Sequence, residues 1–159
     1  MENILYQEAL FMEQRVNYYE TAPEAIDIML EIEKYTKTTD IDRLLRELIK
    51  IRASQINGCA HCLNMHTKDV RKMGETEQRI YCVNAWQECT FYSAKEKVAL
   101  ELTEYVTEIA TKRVPDELYH RVREHFSEKE YVDLIILINQ INSWNRLSVS
   151  MGNYVDADE

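Results

Sequence analysis

The chain has 159 residues, with 28 acidic against 19 basic side chains and a formal net charge of -9. That length fits one domain able to bury a substantial core without covalent staples. Three glycines and two prolines are too few for the turns of an all-β protein, and the acidic balance repels nucleic acid. The start has no basic stretch leading into an apolar one, and no apolar run nears the roughly 20 residues of a membrane span. A cytoplasmic protein with no membrane partner is expected. Four cysteines, two of them three apart, read as reactive or metal-binding chemistry rather than a secreted disulfide framework.

In chain order, residues 4–19 read as a first helix, and Pro23 opens a second carrying Ile26, Ile28, Met29, Leu30 and Ile32. Ile41, Leu44, Leu45, Leu48 and Ile49 fall on one helical stripe, with Thr39 or Asp40 as N-cap, and this third helix runs to about Ile56. Asn57-Gly58 ends it and Gly74 ends the next, so residues 59–73 form a helix with Cys59 at its start. A helix with Ile80, Val83 and Trp86 follows. Ser93 to Glu96 is a capping box for another helix, with Val98, Leu102, Tyr105, Val106 and Ile109 inward. Pro115-Asp116 opens a short helix, and Ser127 to Glu130 is a second capping box ahead of the most apolar stretch, residues 134–141. That stretch is either the bundle's central helix or a face buried against another subunit. The expectation is an all-α, single-domain helical bundle over 1–159, with a core at 22–150 and a loose tail from 153 to 159.

The chemistry concentrates between Glu47 and His66. On a helix, Cys59, Cys62 and His66 point the same way, with His61 to one side. The free amides at the helix start lower a thiol pKa. An imidazole one turn below Cys62 can take or return its proton, and two thiols three apart can close to a disulfide once one is oxidised. Helix-end electrostatics favour Cys59 as the more acidic thiol, whereas the neighbouring histidine favours Cys62. The Asn57-Gly58 turn would fold Glu47 back over the dithiol. Cys82 and Cys89, seven apart, read as small buried hydrophobes, and His120 and His125 as surface residues. Zinc on Cys59, Cys62 and His66, with His61 or Glu47 as fourth donor, is a rival; four donors crowded into one helical segment close a tetrahedron poorly.

Glu47, eleven residues, then Cys59, His61, Cys62 and His66 reproduce a Glu…Cys-x-His-Cys-x-x-x-His pattern. With the flanking residues 54–58, the 93–107 region and Trp144-Asn145-Arg146, the chain resembles the alkylhydroperoxidase D-like proteins of the carboxymuconolactone decarboxylase superfamily from about 22 to 150. The resemblance implies an all-α subunit forming trimers or a hexamer, with the CxxC opening a central helix. It also implies a hydroperoxide reductase with no cofactor and no metal. In it Cys62 attacks the peroxide, Cys59 resolves the sulfenic acid to a disulfide, and Glu47, His61 and His66 relay protons. Its partners would be a small hydroperoxide and an external dithiol reductant, lipoylated or thioredoxin-like. Two alternatives stand beside this one. Decarboxylation of a lactone acid needs no dithiol, and a non-enzymatic zinc-binding or redox-sensing module needs no turnover.

Overall fold

A computed structural model describes residues 13–157, and every regular element among them is helical. Most of the expected first helix, residues 4–12, lies outside that range. Residues 13–17 are not helical, because Arg15 N–H donates to the Met151 carbonyl at 2.8 Å. Asn17 instead caps a short helix, α1 (Tyr18–Thr21). In α2 (Pro23–Lys37), Pro23 sits at the first turn as expected, but only Ile26 and Thr36 are buried. Ile28 and Leu30 are exposed, since apolar residues spaced by two rotate around a helix instead of forming one stripe.

The third helix, α3 (Arg43–Asn57), is capped by Asp42, whose carboxylate accepts from the Leu44 and Leu45 amides. Neither Thr39 nor Asp40 fills that role; the Thr39 hydroxyl is turned back to the Thr36 carbonyl. The helix is buried almost all round, more than the single stripe in its sequence implies. Leu45 and Ile49 enter a core with Leu102, Leu118, Leu137 and Ile138, and Leu48 and Ile51 enter a second with Val70, Val83 and Leu100. Each such side chain contributes about 1.5–3 kcal/mol of burial. Gly58 ends α3 at φ 63, where its N–H reaches the Ser54 and Gln55 carbonyls. A side chain in this left-handed position is disfavoured. The chain then reverses, and α4 (Ala60–Lys72) packs along α3.

After Gly74 the single expected helix is two pieces, α5 (Glu77–Tyr81) and a 3-10 turn (Val83–Glu88), parted at Cys82, and the 3-10 turn is itself kinked where Ala85 leaves helical geometry at φ -122. Both capping boxes form, on α6 (Ala94–Thr107) and α9 (Glu128–Met151). Between them lie α7 (Ile109–Lys112) and α8 (Asp116–Arg123). Glu108 breaks the helix before Ile109, which points outward rather than into the core. The last helix is central within the chain, because Leu134, Leu137, Ile138 and Ile141 are buried and it packs on α2, α3, α4, α6 and α8. The tail is tied down at its first residue: the Asn153 amide donates to the Tyr18 hydroxyl at 2.7 Å. No helix among the described residues is long and apolar enough to cross a membrane.

Candidate active site

The turn that carries the dithiol is fastened to α9 by buried amides. Asn57 Nδ2 donates to Asn142 Oδ1 and Asn145 Oδ1, both at 2.9 Å. Asn145 Nδ2 continues to Ser54 Oγ at 2.9 Å, and Ser54 Oγ donates to the Lys50 carbonyl at 2.7 Å. Buried polar groups satisfied in this way fix one arrangement, since leaving any of them unpaired costs about 1–3 kcal/mol. The end of α3, and with it the start of α4, is therefore held in place.

Cys59 is the N-cap of α4, where its sulfur accepts from the Cys62 amide at 3.3 Å. The two cysteines are joined as a disulfide with their Cα atoms 5.4 Å apart, and both are buried. Behind them, His66 Nδ1 meets Glu47 Oε2 at 2.7 Å, and Lys50 Nζ donates to Glu47 Oε1 at 3.0 Å. All three side chains are less than a tenth exposed. Burial pushes the Glu47 carboxyl up, but the His66 hydrogen bond and the Lys50 ammonium outweigh it and hold the group down at about 2. Glu47 is thus ionised at neutral pH and can only accept. The proton of a neutral His66 is held on Nδ1, which leaves Nε2 with a lone pair.

A cavity of about 110 Å³ opens in front of this group, lined by Cys62 and His66 but not by Cys59. His61 is exposed on its wall. Tyr18, Tyr19, Leu30 and Met65 supply apolar surface, and Gln140, Trp144 and Ser148 of α9 form the opposite side. The five residues singled out in the sequence thus divide into the disulfide pair, the buried Glu47–His66 pair behind it, and His61 in front. Among the described residues no three His, Cys, Asp or Glu side chains converge to hold a metal ion. Cys82 and Cys89 are half-buried free thiols at the two ends of the 3-10 turn, not on one helix face. His120 is exposed and His125 half-buried.

Sequence reasoning missed Lys50, although its position three residues after Glu47 places it on the same helical face. It also missed Gln140 and Ser148. A signal existed there too: with Trp144 they repeat every four residues, which places them on one face of the helix.

Known proteins match most of the chain in sequence and in fold. A protein of unknown function from Agrobacterium tumefaciens, placed with the antioxidant defence protein AhpD, superposes with a TM-score of 0.88 at 36% identity, covering 92% of this chain and 100% of that one. An uncharacterized Bacillus subtilis (strain 168) protein, YdfG, is 68% identical over 142 residues, 89% of this chain and 97% of its own. The debrominase Bmp8 shares the fold, with a TM-score of 0.77 at 16% identity over 87% of this chain and 74% of that one. The model of the carboxymuconolactone decarboxylase family matches residues 21–105. The chain therefore belongs to the carboxymuconolactone decarboxylase family, as an alkylhydroperoxidase D-like member.

Proposed function

We propose that the chain is a thiol-dependent hydroperoxide reductase in which Cys62 is the attacking thiol. One observation carries this reading: of the two cysteines only Cys62 lines the cavity, and the cavity also holds His66, whose other nitrogen is fixed by an ionised, buried Glu47. In the reduced protein His66 Nε2 takes the Cys62 proton, and the thiolate attacks the outer oxygen of R–O–O–H. The O–O bond breaks, Cys62 becomes a sulfenic acid, and the departing alkoxide takes the proton back from His66 to leave as R–OH. Cys59 loses its proton and the thiolate attacks the Cys62 sulfur; the S–OH bond breaks, the OH takes up that proton to leave as water, and the disulfide forms. A two-electron external dithiol, lipoylated or thioredoxin-like, restores both thiols. His61, exposed at the cavity, passes protons to solvent. Cys59 as the N-cap residue is suited to resolving, because the helix amides hold its thiolate.

A helical fold shared with a protein named a debrominase carries more than one reaction, so the site has to be tested by its own chemistry. With dihydrolipoamide as reductant, the wild type is expected to consume cumene hydroperoxide and Cys62→Ser to consume none above background. Equal consumption by both proteins would overturn the assignment.

A further inference from the structure

The long helix α9 presents a row of buried polar atoms to the cavity without using them. Five buried side-chain nitrogen or oxygen atoms among the described residues lack a hydrogen-bond partner, and three of these are Gln140 Oε1, Trp144 Nε1 and Ser148 Oγ. They are spaced by four, so they stand on one face of the helix, and all three residues line the same cavity as Cys62 and His66. Gln140 and Ser148 are only 4% and 2% exposed. An acceptor, a donor and a hydroxyl with no protein partner at such depth are available to a molecule bound in the cavity.

The rest of the lining defines what that partner is. Tyr18, Tyr19, Leu30 and Met65 offer apolar surface. Among the described lining residues the one carboxylate is Glu33, which is paired with Lys37 at 2.9 Å, and none is a lysine or arginine. An apolar cavity of about 150 Å³ encloses a benzene ring; at about 110 Å³ and open on one side, this one encloses a branched alkyl group or part of one small ring and leaves the remainder in the opening. We infer that Gln140, Trp144 and Ser148 form the polar recognition edge of a pocket for a compact, uncharged organic hydroperoxide. The Trp144 N–H and the Ser148 hydroxyl donate to its oxygens and Gln140 Oε1 accepts from its O–H. This rests on the peroxidase reading and adds the substrate class to it.

The test separates binding from turnover. The probe is 2-phenyl-2-propanol, the alcohol left when cumene hydroperoxide is reduced, titrated into the full chain by calorimetry, with benzoate as the anionic comparison. The alcohol is expected to bind, and benzoate about tenfold or more weakly because no described lining residue is a lysine or arginine that could pair with its carboxylate as it leaves water. Gln140→Met, Trp144→Phe and Ser148→Ala should each weaken the alcohol about three- to tenfold by loss of one hydrogen bond. They should also leave the melting temperature unchanged or raised, since none of the three atoms has a hydrogen bond within the protein to lose. A structural role predicts the reverse, a lowered melting temperature with alcohol affinity intact, and that result overturns the inference, as does benzoate binding as well as the alcohol. If the dithiol reacts with cumene hydroperoxide while the alcohol does not bind, this inference falls and the peroxidase reading survives. If the thiols ignore the peroxide yet the three variants weaken the alcohol, the peroxidase reading falls and the pocket stands.

Discussion

Two cysteine pairs lie in this chain, and their surroundings differ in every respect that governs thiol chemistry. Cys59 and Cys62 open a 13-residue helix, face its free amides and have the His66–Glu47–Lys50 group behind them. Cys82 and Cys89 flank a 3-10 turn, and the Cys89 thiol donates to the Ala85 carbonyl at 3.5 Å. Burial pushes the Cys89 thiol up, and the neighbouring Cys82 pushes it further. Proximity of two sulfurs, and a place at helix ends, are common to both pairs; the first adds the His66 imidazole and the cavity that Cys62 lines. Thiolate supply rather than thiol spacing sets reactivity.

The comparison breaks most sharply at Cys62. Cys62→Ser should reduce peroxide consumption to background, while the Cys82→Ser, Cys89→Ser double variant retains wild-type turnover; loss of turnover in the double variant would show the second pair to be active. Next comes the buried carboxylate. Glu47→Gln keeps an acceptor for His66 but removes the charge that supports its imidazolium, and it should lower kcat/KM about 100-fold. It also leaves the Lys50 ammonium buried without its counter-charge, at a cost of about 3 kcal/mol in a denaturant melt. Lys50→Met should act more mildly, with kcat/KM down about tenfold and the acid limb of the pH–rate profile moved to higher pH. Without the ammonium, burial lifts the Glu47 carboxyl; an unmoved acid limb would remove Lys50 from the proton machinery.

The smallest effect is one of pH on stability. The Glu47 pKa is about 2 in the folded chain against an ordinary 4.5. The stability gained from its ionised contacts is therefore fully present above about 4.5 and lost as pH falls toward 2. The gap in melting temperature between wild type and Glu47→Gln should be constant from pH 7 to 5 and narrow below that. A gap that persists undiminished at pH 2.5 would show that Glu47 stabilises by packing rather than by charge.

Much of this arrangement was legible in the sequence, for physical reasons that are local. Ser93/Glu96 and Ser127/Glu130 announce α6 and α9 because a capping box is satisfied within four residues. Gly58 marks the turn because only a left-handed residue ends α3 there, and the Cys59, Cys62, His66 spacing follows from 3.6 residues per turn. What was not legible depends on contacts distant in sequence. The non-helical stretch before Tyr18 follows from Arg15 pairing with Met151, the buried circumference of α3 from two cores meeting on it, and the role of Asn57 from Asn142 and Asn145, 85 and 88 residues away. The split at Cys82, the kink at Ala85 and the outward turn of Ile109 likewise leave the apolar pattern unchanged while altering the backbone. Glu47 lay in between: its spacing was visible, and its pairing with His66 required the fold.

The central claim is that Cys62 attacks and Cys59 resolves, and it is tested most directly by intact mass and thiol counting on the reduced chain after a stoichiometric pulse of cumene hydroperoxide. The wild type should lose two thiols as one Cys59–Cys62 disulfide, Cys59→Ser should stop at a sulfenic acid on Cys62, and Cys62→Ser should keep Cys59 as a free thiol. A wild type whose four thiols all survive the pulse, or a Cys62→Ser variant in which Cys59 is oxidised instead, would contradict the account.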